Sequence, residues 1–152
     1  MQLKKGNKLQ LIVAEVKTNT DAEMFSKQDP YVKVNYQLGG KEQTFHTSLM
    51  DNAGKHAIWG DAPTKNNSTD IVVEDFCSSI TLSVMDKEVL SDNQLGIAWT
   101  DFATLCFNGG GTEWFKLYKG NETIGQIKII SKYCSEEKKE VASIVHDLPV
   151  PV

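Results

Sequence analysis

No stretch of this 152-residue chain is long and apolar enough to cross a bilayer as a helix. The opening MQLKKGNK carries lysines with no apolar run behind them, so no secretory leader is expected there. Gln2 excludes N-myristoylation, and the closing LPVPV is not a prenylation signal. Cysteine is scarce: Cys77, Cys106 and Cys134 are odd in number and irregular in spacing, which fits neither a zinc motif nor a disulfide framework. Reduced thiols in a cytoplasmic protein are the expectation, and the N-x-Ser/Thr sequons at Asn66, Asn67 and Asn121 then read as chance matches. A basic face is also missing. The net charge of -4 argues against a nucleic-acid partner. No nucleophile–base arrangement surrounds the cysteines, and His46, His56 and His146 are scattered. Gly109-Gly110-Gly111 follows no strand-to-helix pattern suited to phosphate, so the chain is not read as an enzyme.

What is present is alternation. Apolar residues recur with period two in KLQLIVAEV, YVKVNYQL, KEQTFHTSL, TDIVVEDF, SITLSVMD, QLGIAWT, TEWFKLY and ETIGQIKII. In the first of these both faces carry apolar side chains, so both are expected to be partly buried. Gly39-Gly40 between two alternating runs signals a hairpin, because primed turns need positive φ. Eight short strands separated by turns predict an all-β, eight-stranded antiparallel β-sandwich in one domain over residues 6–133. Residues 60–69, GDAPTKNNST, read as a polar surface loop. Residues 134–152 read as a charged C-terminal tail, frayed or packed on the domain; Val141, Ile144, Val145 and Leu148 fall at helical spacing before Pro149, so a short partner-binding or membrane-surface helix is the other reading.

Two acidic loops stand out. In FSKQDPYVKVNY, Asp29 lies where a loop meets a strand, and Pro30 disfavours helix at the residue before it. A carboxylate fixed there suits a hard cation such as Ca2+, which takes six to eight oxygens in irregular geometry. The second loop, VMDKEVLSDNQLG, leaves a strand at Asp86, carries Glu88, then Asp92 and Asn93, and re-enters a strand at Leu95. Asp86 and Glu88 are alternate residues and can turn their oxygens to one side.

These segments, taken in order with Trp59 in KHAIWGD and the closing IGQIKIISKY, resemble a C2 domain. In that family the first acidic loop ends in D-P-Y-V-K-V, a tryptophan follows in N-P-x-W-N-E, and the second loop reads D-x-D before a hydrophobic-Gly pair. The resemblance covers residues 6 to 133, with one strand before the first loop, as in the circularly permuted, phospholipase-type topology. HAIWGD keeps the tryptophan and an acid but loses the Asn-Pro start.

The resemblance implies calcium-dependent binding of anionic phospholipid, or calcium-independent recognition of lipid or protein by a degenerate member. Five positions, usually aspartate, hold calcium in the binding members. Here they fall at Glu23 (with Asp21 close enough to substitute), Asp29, Asp86, Glu88 and Asn93, and Asp92 is an alternative for the last. Glutamate reaches further and costs more entropy to fix, and asparagine offers a neutral oxygen, so a retained site would be weak. Met24-Phe25 and Val89-Leu90 sit near the expected loop tips, as membrane-inserting residues or folded back under their own loops. Lys33 and Lys41 lie in the hairpin that carries the family's lysine-rich patch, without a polybasic run. The expected behaviour is a cytoplasmic protein that becomes peripheral to the membrane when calcium binds, with a protein partner as the other possibility.

Overall fold

Alternating Val, Ile, Leu and Tyr residues on strands half-buried against a second layer determine the architecture. The computed structural model describes residues 7–18, 29–50, 56–87 and 90–134. Nine strands occur among them, in chain order: β1 (Lys8–Thr18), β2 (Pro30–Leu38), β3 (Lys41–His46), β4 (His56–Ile58), β5 (Ser68–Val72), β6 (Ser79–Asp86), β7 (Asn93–Asp101), β8 (Gly110–Lys119) and β9 (Glu122–Cys134). A five-residue helix α1 (Phe102–Cys106) precedes β8.

All strand pairs are antiparallel. One sheet runs β3-β2-β6-β7, and the other runs β8-β9-β1, with β4 and β5 both attached to β1. The two join through a single β7–β8 pair, Ile97 with Tyr118. Among the described residues β1 is the one strand before residues 19–28, and β9 lies beside it, in keeping with the phospholipase-type topology. Between the sheets lie Val32, Val34 and Tyr36 of β2, Ile80, Leu82 and Val84 of β6, Leu9, Leu11 and Val13 of β1, and Ile127 and Ile129 of β9.

A bulge between Val13 and Glu15 shifts the parity of β1, so that Val16 rejoins the core face. Ile12 and Ala14 are buried as well, in line with the two-sided apolar pattern. The β2–β3 hairpin turns through Gly39 and Gly40 at φ +55° and +77°, the double positive φ of a type I′ turn.

Three features depart from expectation. The eight predicted strands are all present, and β4 is a ninth, too short at three residues to give a periodic signal. Helix α1 replaces part of a presumed connection. Its cap is Asp101, whose Oδ1 accepts from the Thr104 N–H at 2.7 Å. Residues 60–67 are not simply solvated. Asn67 is fully buried, its Oδ1 accepting from the Thr64 N–H and hydroxyl and its Nδ2 donating to the Gly60 and Ala62 carbonyls. The Asn67 sequon is therefore part of the loop's internal scaffold. The helical spacing from Val141 to Leu148 lies outside the described residues.

Candidate functional site

Strands β2, β6 and β7 bring the acidic loops to one rim. Pro30 at the start of β2 pairs with Asp86 at the end of β6, and Asp86 pairs with Asn93 at the start of β7. The Asp29 N–H donates to Asp86 Oδ1 at 3.1 Å, and the Lys87 N–H donates to the Asp29 carbonyl at 3.2 Å. The carboxylate of Asp86 is thus held against the entry to β2, with the residue only 5% exposed. Residues 47–50, which follow β3, are strapped to the same end: the Thr47 N–H donates to the Val32 carbonyl and the Met50 N–H to the Pro30 carbonyl. Trp59 supports that strap by donating its Nε1–H to the Ser48 carbonyl at 3.0 Å. This gives the tryptophan a structural role independent of its degenerate motif.

Asp92 is already engaged. Its Oδ2 accepts from the Tyr31 hydroxyl, and its Oδ1 lies 3.7 Å from Lys87 Nζ. Burial, and then the Asp92 carboxylate, pushes the Tyr31 phenol up to about 12. Tyr31, His46, Thr47, Leu49, Lys87 and Asp92 line a groove of about 220 Å3. Tyr31 and Lys87 were not singled out from the sequence. The signal for Tyr31 was its odd position in PYVKV, which turns it away from the core-facing Val32 and Val34. Lys87 stands between two acids, where only the fold shows that it reaches Asp92.

At this rim the Asp86 carboxylate meets the main-chain N–H of Asp29 and Asn93 pairs with Asp86, whereas Asp92 faces Tyr31 and Lys87. Among the described residues no group of three or more His, Cys, Asp or Glu side chains is gathered to hold a metal ion. Glu23, Met24, Phe25, Glu88 and Val89 lie outside the described residues. Carboxylate and amide oxygens on irregular loops are the donor chemistry that Ca2+ takes. Beyond them, Leu90 is 98% exposed, and no helix among the described residues is long and apolar enough to cross a membrane.

The fold is shared with solved structures at low identity. A C2 domain (domain A) of a plant extended synaptotagmin 1 superposes with a TM-score of 0.69 at 14% identity, over 86% of this chain and 96% of that one. The calcium-bound pair of C2 domains (A and B) of extended synaptotagmin 2 gives a TM-score of 0.66 at 15% identity, over 95% of this chain and 53% of that chain. Human GIVD cytosolic phospholipase A2 matches at 0.61 and 15% identity, over 86% of this chain and 17% of its own length. A search of curated protein sequences gives no match. The family model for the C2 domain matches residues 7–117, and the chain belongs to the C2 domain family.

Proposed function

We propose that this C2 domain is a non-catalytic membrane-binding module that docks on anionic phospholipid when calcium occupies the rim. The observation that carries this reading is the convergence of Asp29 and Asp86, from two loops distant in sequence, at one end of the sandwich. In the proposal, Asp29, Asp86 and Asn93 contribute oxygens from the described side. Glu23 and Glu88 complete the set, and Asp92 joins it on release from Lys87.

The physical logic is charge cancellation. Carboxylates gathered at a rim repel one another and an anionic surface. The chain has no arginine, so no guanidinium fork is available for lipid phosphate. A bound Ca2+ would neutralise the rim and offer open coordination positions to phosphate oxygens. Leu90, and with it Met24, Phe25 and Val89, would then enter the interface. Attraction to the charged cytoplasmic leaflet falls off within a Debye length, so the apolar contacts matter once the surface is reached.

Co-sedimentation with phosphatidylserine vesicles tests this reading. Pelleting in calcium that is lost on adding chelator supports it. Pelleting unchanged by chelator, or no pelleting in either condition, assigns the fold to calcium-independent recognition and rejects the proposal.

A further inference from the structure

A basic row crosses the outer face of the β8-β9-β1 sheet. Lys116 of β8 pairs with Gln126 of β9, Gln126 with Lys17 of β1, and Lys17 with His56 of β4. Direct cross-strand partners project from the same side of a sheet. Their chain neighbours Leu117, Ile127, Val16 and Ala57 are buried between the sheets, so the row points outward, and all four of its residues are exposed.

The carboxylates of this face are already partnered. In the adjoining row, Lys128 Nζ lies 3.0 Å from Asp61 Oδ1 and 3.6 Å from Glu15 Oε1, and His56 Nε2 contacts the other Glu15 oxygen. Lys17 and Lys116 have no carboxylate partner among the described residues. Lys17 Nζ stands 5.0 Å from the centre of the Trp114 ring, within cation–π range. An unpaired ammonium and an exposed indole are thus held side by side. Lys116 lies two strands from Lys17, roughly 10 Å at the main chain.

The row sits at the rim end of the sandwich. Tyr133, near the end of β9, packs on Phe76, just before β6 begins at Ser79, and β6 runs from there to the rim at Asp86. The end of β9 and the start of β1 therefore lie away from the rim, and Lys17 and Gln126, at the opposite ends of those strands, lie towards it. Lys17 is the last residue but one of β1, before the segment that leads to Asp29. A bilayer that meets the rim is within reach of this row. Ammonium groups attract anionic headgroups over about a Debye length, and tryptophan offers an apolar body with a polar N–H at an interface. Lys33 belongs to the other sheet, where it alternates with the core-facing Val32 and Val34, so it looks the opposite way.

We infer that Lys17, Lys116 and Trp114 form a second membrane contact, which takes anionic phospholipid headgroups and tilts the domain onto its β8-β9-β1 face. The inference rests on the lipid-binding reading above for its ligand, and not on calcium.

Co-sedimentation of the full chain with vesicles of equal parts phosphatidylcholine and phosphatidylserine, in calcium and in chelator, tests it. Lys17→Gln combined with Lys116→Gln should weaken binding about twenty-fivefold, near fivefold for each lysine at a charged surface. Lys33→Gln combined with Lys41→Gln removes the same charge from the β2–β3 hairpin and should weaken it far less. Melting temperatures should match the parent in both double variants, and calcium affinity without lipid should not fall. Equal weakening by the two pairs, or weakening by neither, overturns the inference, as does a lack of vesicle binding in both conditions. Binding that survives chelator and falls on substituting Lys17 and Lys116 removes the calcium requirement and upholds the inference. Calcium-dependent binding indifferent to Lys17 and Lys116 does the reverse.

Discussion

The N–H of Asp29 donates to the carboxylate of Asp86 across 3.1 Å, although 57 residues of chain separate the two. Antiparallel pairing of β2 with β6 makes this contact, with Pro30 opposite Asp86. Pro30 lacks an N–H, so Asp29 is the residue whose N–H meets the carboxylate.

Leu90 leaves its apolar area out of the core, and in the proposed function it gives that area to the membrane. At 98% exposure its side chain packs against nothing in the fold. Leu90→Ala should leave the melting temperature unchanged and weaken calcium-dependent vesicle binding by ~1 kcal/mol, about fivefold, since interfacial insertion recovers only part of the transfer energy. Leu90→Trp should show a blue-shifted emission on adding vesicles with calcium. Unchanged emission would remove this residue from the interface.

Lys87 is a tethered cation beside the loop acids. Its ammonium lies 3.7 Å from Asp92 and is more than half exposed. In the proposed function, calcium competes with it for that carboxylate. Lys87→Gln should tighten calcium binding by about threefold, within the ~1 kcal/mol range of a solvated ion pair. Isothermal titration without lipid separates this effect from attraction of the lysine to membranes.

Tyr31 reports on the rim through its own titration. Its phenol is raised to about 12, first by burial and then by the Asp92 carboxylate. The folded state thus holds the proton more tightly than the unfolded chain, whose tyrosine has the ordinary value of 10.0. The corresponding stability is fully present below pH 10 and is lost as pH rises through about 12. Besides Tyr36, whose phenol burial also raises, phenolate absorbance should show a late transition from Tyr31. Asp92→Asn should bring that transition down while leaving it above the ordinary range, because burial remains.

Alternation was enough to find the eight main strands, since most bury one face against the opposite sheet, and in β1 the two-sided apolar run marked a strand despite its bulge. It was insufficient for β4, whose three residues pair with Glu15–Lys17 through β1's needs rather than their own pattern. It also missed α1, for which Asp101 is a single capping signal on five residues. At the rim, Asp29 and Asp86 were legible because each stands at a strand boundary. The engagement of Asp92 by Tyr31 and Lys87 was not, because Tyr31 and Asp92 lie 61 residues apart and meet only through tertiary pairing.

Asn67 should behave as a structural residue despite its polar surroundings. Its side chain makes four hydrogen bonds, two with Thr64 and one each with Gly60 and Ala62. Asn67→Ala should lower unfolding stability by ~1–3 kcal/mol in a urea titration, because it removes the four hydrogen bonds that a buried side chain makes to part-buried groups. The loop also presents its Asn67 carbonyl to the Val13 N–H, so loosening should spread to β1 and appear as faster amide exchange there.

The most direct measurement is an isothermal calcium titration of the unsubstituted protein beside Asp29→Asn and Asp86→Asn. Each substitution preserves side-chain shape and removes one charge from the shared rim. The account predicts saturable calcium binding in the unsubstituted protein and its loss in both single variants, with melting temperatures in chelator close to the parent. Calcium binding that persists in both variants, or none in the unsubstituted protein, would contradict a calcium site built by Asp29 and Asp86.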